Sequence, residues 1–152
     1  MMTLEVTAKL RWVDELNFDA EVAGRRIELN SAEEMGRAFT PMELFLVALA
    51  GCTAMDVQWI LKRQRQKVDK LEVSARGIRR EEDPRYYEEI NIEYIIGGQG
   101  VTKSGVERAI RLSQEKYCSV KAMLKETVKV NTSYVITNDG QTEQKAQAIA
   151  AT

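Results

Sequence analysis

Apolar and polar residues alternate from the start of the chain. Leu4, Val6, Ala8, Leu10 and Trp12 are spaced by two, the pattern of a half-buried β-strand. After a break at Asp14-Glu15 the alternation resumes at Leu16, Phe18, Ala20 and Val22, and beyond Gly24 it continues with Ile27 and Leu29. This predicts two hairpins in succession. Residues 30–39 are polar with one glycine, hence a loop. Then the period changes. Thr40-Pro41-Met42-Glu43 opens a helix, with Thr as N-cap, Pro in the first position and Glu three residues after the cap. Phe39 and Leu44 stand where a hydrophobic staple places them. Leu44, Val47, Ala48, Gly51, Cys52 and Met55 form a stripe at helical spacing, and the pattern runs to about Gln64. A long central helix, buried on most sides, is expected there.

Leu71, Val73 and Ala75 predict a strand, and Ile90, Ile92, Tyr94 and Ile96 another, with a turn at Glu81–Pro84 between them. Gly97–Gly100 reads as a turn. A helix follows with Val106, Ala109, Ile110 and Ser113 on one face, ending near Tyr117, and a short helix runs from Ser119 to about Lys125. Val128, Val130, Thr132, Tyr134 and Ile136 close the pattern with a strand. The order β-β-β-α-β-β-α-α-β, with hairpins rather than regular βαβ units, indicates an α+β fold. Residues 1–137 form the domain. Residues 138–152 are polar and alanine-rich, a frayed tail or weak helix.

The 152 residues suit a single domain with its own core. A net charge of -1 gives no whole-chain field for nucleic acid or anionic membrane. The longest uninterrupted apolar run, Leu44 to Cys52, is too short to span a bilayer, and the N-terminus lacks a signal-peptide pattern. A reducing, cytoplasmic home with free thiols is the simplest expectation. The chain has 0 His and 2 Cys. That count excludes Ser-His-Asp and Cys-His machinery, His-containing zinc sites, and four-cysteine zinc or iron–sulfur centres built within one chain. It leaves carboxylates, Arg/Lys, hydroxyls and one thiol pair.

Cys52 lies on the helical stripe, either as a small buried hydrophobe or as a reactive thiolate that needs a neighbouring cation. Asp56, one turn on, would raise a thiol pKa if it pointed the same way; otherwise it is a helix-face carboxylate meeting solvent or a partner. Cys118 stands at a helix junction. Two readings remain open: two unrelated thiols, or a dithiol in which one sulfur attacks an electrophile and the other resolves the sulfenic acid. Glu43 is explained by the capping box, or it positions a basic group near Cys52. It is nine residues upstream, about 13 Å of helical rise, so an arginine would have to bridge. Arg11, Arg25, Arg26 and Arg37 are the candidates. Gly51 suggests close approach of another helix. The basic run Lys62–Lys67 falls at a helix end, where cations suit the dipole.

Thr40-Pro41-Met42-Glu43-Leu44-Phe45-Leu46 leading into Ala50-Gly51-Cys52, together with Ser113-Gln114-Glu115-Lys116-Tyr117-Cys118-Ser119-Val120, resembles the OsmC/Ohr superfamily. Ala50–Val57 is most similar to its YhfA-like branch. The resemblance implies an α+β fold with antiparallel sheets around two long central helices, in an intertwined homodimer with its sites at the subunit interface. It implies a thiol peroxidase acting on organic hydroperoxides, with Cys52 as peroxidatic thiolate and Cys118 as resolving thiol. Glu43 with an arginine such as Arg37 would activate the thiolate. No metal or other cofactor is implied, only an external dithiol reductant. The chain departs from the family pattern in one respect: Met42 follows the helix-opening proline and Glu43 comes one residue later, a turn of about 100°. That departure motivates another reading, a non-catalytic YhfA-like protein that binds an apolar ligand at the dimer interface with the cysteines lining the pocket. A third reading is a redox sensor that forms the same disulfide but turns over slowly.

Overall fold

The computed structural model describes residues 4–31, 38–138 and 141–142. The chain divides into two compact units, Met1–Phe45 and Leu46–Thr152.

The first unit is an antiparallel meander of β1 (Lys9–Asp14), β2 (Asn17–Val22) and β3 (Arg25–Leu29). Ala23 and Gly24 connect β2 to β3 with φ of 49° and 78°, the left-handed pair of a two-residue hairpin turn. The expected strand at Leu4 begins only at Lys9, because β2 pairs no further than Lys9↔Glu21. The expected half-burial of β1 is not found: all six of its residues are exposed, Trp12 at 63%. The alternation marks two faces, but within this unit the described residues put no second layer over that sheet. Past β3, Asn30 and Glu28 exchange backbone hydrogen bonds with Phe39, which leads the chain into the helix.

Helix α1 (Pro41–Arg63) starts as its sequence dictates. The Glu43 N–H donates to Thr40 Oγ1 (3.2 Å) and the Thr40 N–H donates to Glu43 Oε2 (2.9 Å), the reciprocal bonds of a capping box. The face it buries differs from the expected stripe. Leu49, Thr53, Val57 and Leu61 are completely buried, whereas Val47, Met55 and Trp59 are exposed. Most of this helix is apolar on every side, so periodicity could not select the packed face. A Cβ on Gly51 would meet open space, so the expected close approach does not occur among the described residues. By length and composition α1 could cross a membrane. Its buried Thr53 instead hydrogen-bonds a strand of the second unit, as a core helix does.

In the second unit β4 (Lys67–Arg79) and β5 (Tyr87–Gln99) form a long antiparallel hairpin. Gly97 and Gly98 belong to β5 rather than to a turn. They pair with Lys70 and Val68 across a bulge, and a Cβ on Gly98 would collide with the Lys67 carbonyl. β6 (Lys129–Asn138) pairs with β5 in parallel, Tyr94 opposite Tyr134, which corrects the expectation of purely antiparallel sheets. The physical reason is the connection: α2 (Lys103–Leu112) and α3 (Ser119–Ala122) lie between the end of β5 and the start of β6, a crossover that returns the chain so that β6 runs in the same direction as β5 and that a hairpin cannot replace. β7 (Gln141–Thr142) adds a short antiparallel edge to β6 where a frayed tail or helix was expected; residues 139–140 and 143–152 lie outside the described residues. Among the described residues one helix is long, α1 with 23 residues; α2 has 10 and α3 has 4. The core joins Ile90, Ile92, Tyr94 and Ile96 of β5 to Tyr134 and Ile136 of β6 and to Val106, Ala109 and Ile110 of α2, the α2 face that its sequence period indicates.

Candidate functional site

Three elements of the second unit bring chemistry together. α1 supplies Cys52, Thr53 and Asp56. β5 supplies Tyr94. The third is a π-helical turn, Ser113–Tyr117, between α2 and α3, closed by a 2.8 Å bond from the Cys118 N–H to the Ser113 carbonyl. Such turns recur at functional sites because the extra residue re-aims the side chains around it. Here Ser113 and Gln114 both point inward and are buried.

Sγ of Cys52, Sγ of Cys118 and a carboxylate oxygen of Asp56 lie within 4.8 Å of one another. Both cysteines are free; Cys52 is half-buried and Cys118 is buried. This trio is the one such grouping of Cys, Asp and Glu donors among the described residues, one donor short of a closed structural zinc site. Burial pushes the Cys118 thiol up to about 11. The backbone N–H of Lys121, 3.5 Å from its sulfur, pulls the other way, and Cys52 and Asp56 add to the rise. Burial also raises Asp56 above its ordinary value, and the Ser113 hydroxyl partly offsets this.

Behind the trio lies a buried chain of hydroxyls. Ser113 Oγ donates to Asp56 Oδ2 at 2.9 Å. Thr53 Oγ1 is 2.7 Å from Ser113 Oγ and 2.6 Å from Tyr94 Oη. A hydroxyl has one hydrogen. With the Ser113 hydrogen committed to the carboxylate, Thr53 must donate to Ser113, and Tyr94 must then donate to Thr53. Gln114 Nε2 donates to Tyr94 Oη (3.1 Å) and Thr53 Oγ1 (3.3 Å). Every donor in the series therefore points toward Asp56. The same polarity explains why Gln114 Oε1 is buried without a partner among the described residues: no hydroxyl hydrogen is left to give it. Burial pushes the Tyr94 phenol up to about 12.

Of the sequence candidates, Cys52 and Cys118 are brought together. Glu43 has its carboxylate in the capping box. Arg11 pairs with Asp19, Arg26 with Glu21, and Arg25 donates to the Val22 carbonyl, all within the hairpin unit. Arg37 lies outside the described residues. Sequence reasoning passed over Thr53, Tyr94 and Gln114, and gave Asp56 and Ser113 no part in this cluster. A signal existed for three of them. Thr53 is flanked at four-residue spacing by Leu49 and Val57, Tyr94 interrupts an isoleucine strand, and Ser113 ends the apolar face of α2. Polar groups in such places need partners.

A family model described as OsmC-like protein matches residues 33–133. Protein YhfA of Escherichia coli K12 is 40% identical over 129 residues, which cover 85% of this chain and 96% of that protein. A hypothetical protein from Aquifex aeolicus has a similar crystal structure, with a TM-score of 0.81 at 33% identity over 90% of this chain and 99% of its own. An organic hydroperoxide resistance protein from Legionella pneumophila shares the fold, with a TM-score of 0.67 at 16% identity over 88% and 98% of the two chains.

Proposed function

The chain belongs to the OsmC-like family, and from that premise we propose that it is a two-cysteine thiol peroxidase acting on organic hydroperoxides. The Cys52 thiolate attacks the peroxide oxygen, forming Cys52 sulfenic acid and, with one proton, an alcohol. The Cys118 thiol displaces water from that sulfur to form a disulfide, and an external dithiol in a reducing cytoplasm restores both thiols. The observation that carries this reading is the approach of two sulfurs 66 residues apart in sequence to within 4.8 Å. The division of labour follows from access, since Cys52 is half-buried and Cys118 is buried. The Legionella protein, described by organic hydroperoxide resistance, has the same fold. The test is consumption of cumene hydroperoxide with a dithiol present. Cys52→Ser should abolish it, and Cys118→Ser should stop after one turnover with sulfenic acid trapped. Wild-type rates in Cys52→Ser would refute the reading.

The working unit in this proposal is a homodimer. The exposed face of α1 carries Val47, Met55 and Trp59, and the open space beside Gly51 lies on the same four-residue row. In the hairpin unit Leu10, Trp12 and Ile27 are exposed as well. Apolar surface of this extent needs a cover. Met55→Glu should shift the sedimentation of the protein toward monomer. A protein that sediments as a monomer without any substitution would remove the dimer from the proposal.

A second reading is supported by the local engagement of Glu43 and of the hairpin arginines. It is a redox sensor that forms the same disulfide without fast turnover. Rapid disulfide formation with negligible steady-state consumption would favour it.

A further inference from the structure

We propose that Asp56 is the proton carrier for disulfide closure: its carboxylate takes the Cys118 proton as that sulfur attacks oxidised Cys52, and passes it to the departing oxygen. The inference rests on the thiol chemistry above for its sulfenic acid. The step balances without a further reagent. A sulfur lone pair of Cys118 forms the S–S bond, the Cys52 S–O bond breaks with its electrons going to oxygen, and the proton moves from Cys118 through Asp56 to that oxygen, releasing water. The thiol sulfur is oxidised and the sulfenic sulfur reduced.

Three observations point to this role. First, burial keeps the proton on Cys118, so the attacking sulfur needs a base at the moment of attack. Second, among the described residues Asp56 is the carboxylate in reach, with an oxygen within 4.8 Å of both sulfurs, a gap that one water molecule spans. Tyr94 is no substitute, since its hydrogen is committed to Thr53 and it keeps its proton to about pH 12. The Lys121 ammonium is held on the Gln114 carbonyl at 3.0 Å. Third, the oriented series Tyr94, Thr53, Ser113 ends on Oδ2 alone. It anchors one carboxylate oxygen, and among the described residues Oδ1 has no hydrogen-bond partner and is left for the proton. In this scheme Ser113, Thr53 and Tyr94 are positioning residues, and Asp56 is the catalytic one.

The test separates the two thiol steps with dithiobis(nitrobenzoate), which needs no peroxide. Cys52 attack releases one nitrothiobenzoate, and Cys118 closure releases the second. Asp56→Asn should leave the first release within a few-fold of wild type and slow the second by about 100-fold. Asp56→Glu should recover part of the loss, and Ser113→Ala should slow the second release less than Asp56→Asn does. With cumene hydroperoxide, Asp56→Asn should accumulate trappable sulfenic acid. A second release at the wild-type rate in a folded Asp56→Asn protein overturns the proposal. So does equal slowing of both releases without recovery in Asp56→Glu, the mark of a merely structural role. If Asp56→Asn fails to fold, Ser113→Ala decides on the same ratio. Failure of the peroxidase reading is seen separately, as a wild-type protein that does not consume cumene hydroperoxide while both releases proceed.

Discussion

Two carboxylates on one helix have opposite histories. Glu43, in the first turn of α1, is held by a residue three positions away, through bonds that any helix with Thr at its N-cap could make. Asp56, mid-helix, is held by Ser113, 57 residues away, at the end of a hydroxyl series that begins on β5. The first is a local structural device. The second exists only when α1, β5 and the π turn are packed together, and it is the one that lies beside the thiols. A carboxylate explained by its near neighbours in sequence is a poor guide to chemistry here, whereas one that several elements hold in place is a better guide.

The sharpest way to break this comparison is to cut the long-range side. Thr53→Val keeps volume but deprives Tyr94 and Ser113 of their shared partner in a fully buried position. It should cost about 3 kcal/mol in urea denaturation, since each stranded polar group costs about 1–3 kcal/mol. A loss under about 0.5 kcal/mol would mean that the series contributes little to the fold. The local side should be weaker. Glu43→Ala should cost about 1 kcal/mol, the size of a cap, and Glu43→Gln should restore most of it because glutamine closes the same box. If Glu43→Gln stays folded yet loses peroxide turnover, the carboxylate is more than a cap and the contrast with Asp56 fails.

The smallest effect is a pH signature. Burial raises Asp56 above 3.8 in the fold, so the folded protein binds that proton more tightly than the unfolded chain does. The stability from this group is complete below pH about 4 and is lost as pH rises through the folded value. Wild type should therefore lose stability relative to Asp56→Asn on going from pH 3 to pH 7, read from melting temperatures on the acid side. A gap that moves in the opposite direction would show that the Ser113 bond outweighs burial.

Much of the architecture was legible because its signals are local. Alternation at Phe18, Ala20 and Val22 marked β2, the Thr40–Glu43 box marked the start of α1, and the Val106, Ala109, Ile110 spacing marked the buried face of α2. Errors appeared where the deciding partner was distant. The packed face of α1 was misread because the helix is apolar nearly all round, and only the fit of Thr53 against Tyr94 selects the row Leu49, Thr53, Val57, Leu61. The parallel pairing of β5 with β6 was missed because strand direction depends on the path of the connection, not on the strand residues. Gly98 looked like a turn because a bulge and a turn both call for glycine.

By itself the sequence determined the order of the strands and α-helices from β1 to β6, the capped helix, the supply of two thiols without histidine, and the family. These depend on residue type and on spacings within a few turns of chain, where one residue constrains the next. The resemblance of the sequence implied the pairing of Cys52 with Cys118; tertiary structure alone decided that Asp56 lies beside them and that a one-way series of hydroxyls ends on that carboxylate. Hydrogen-bond direction is settled by counting donors across three packed elements, and no single segment of the chain contains that count.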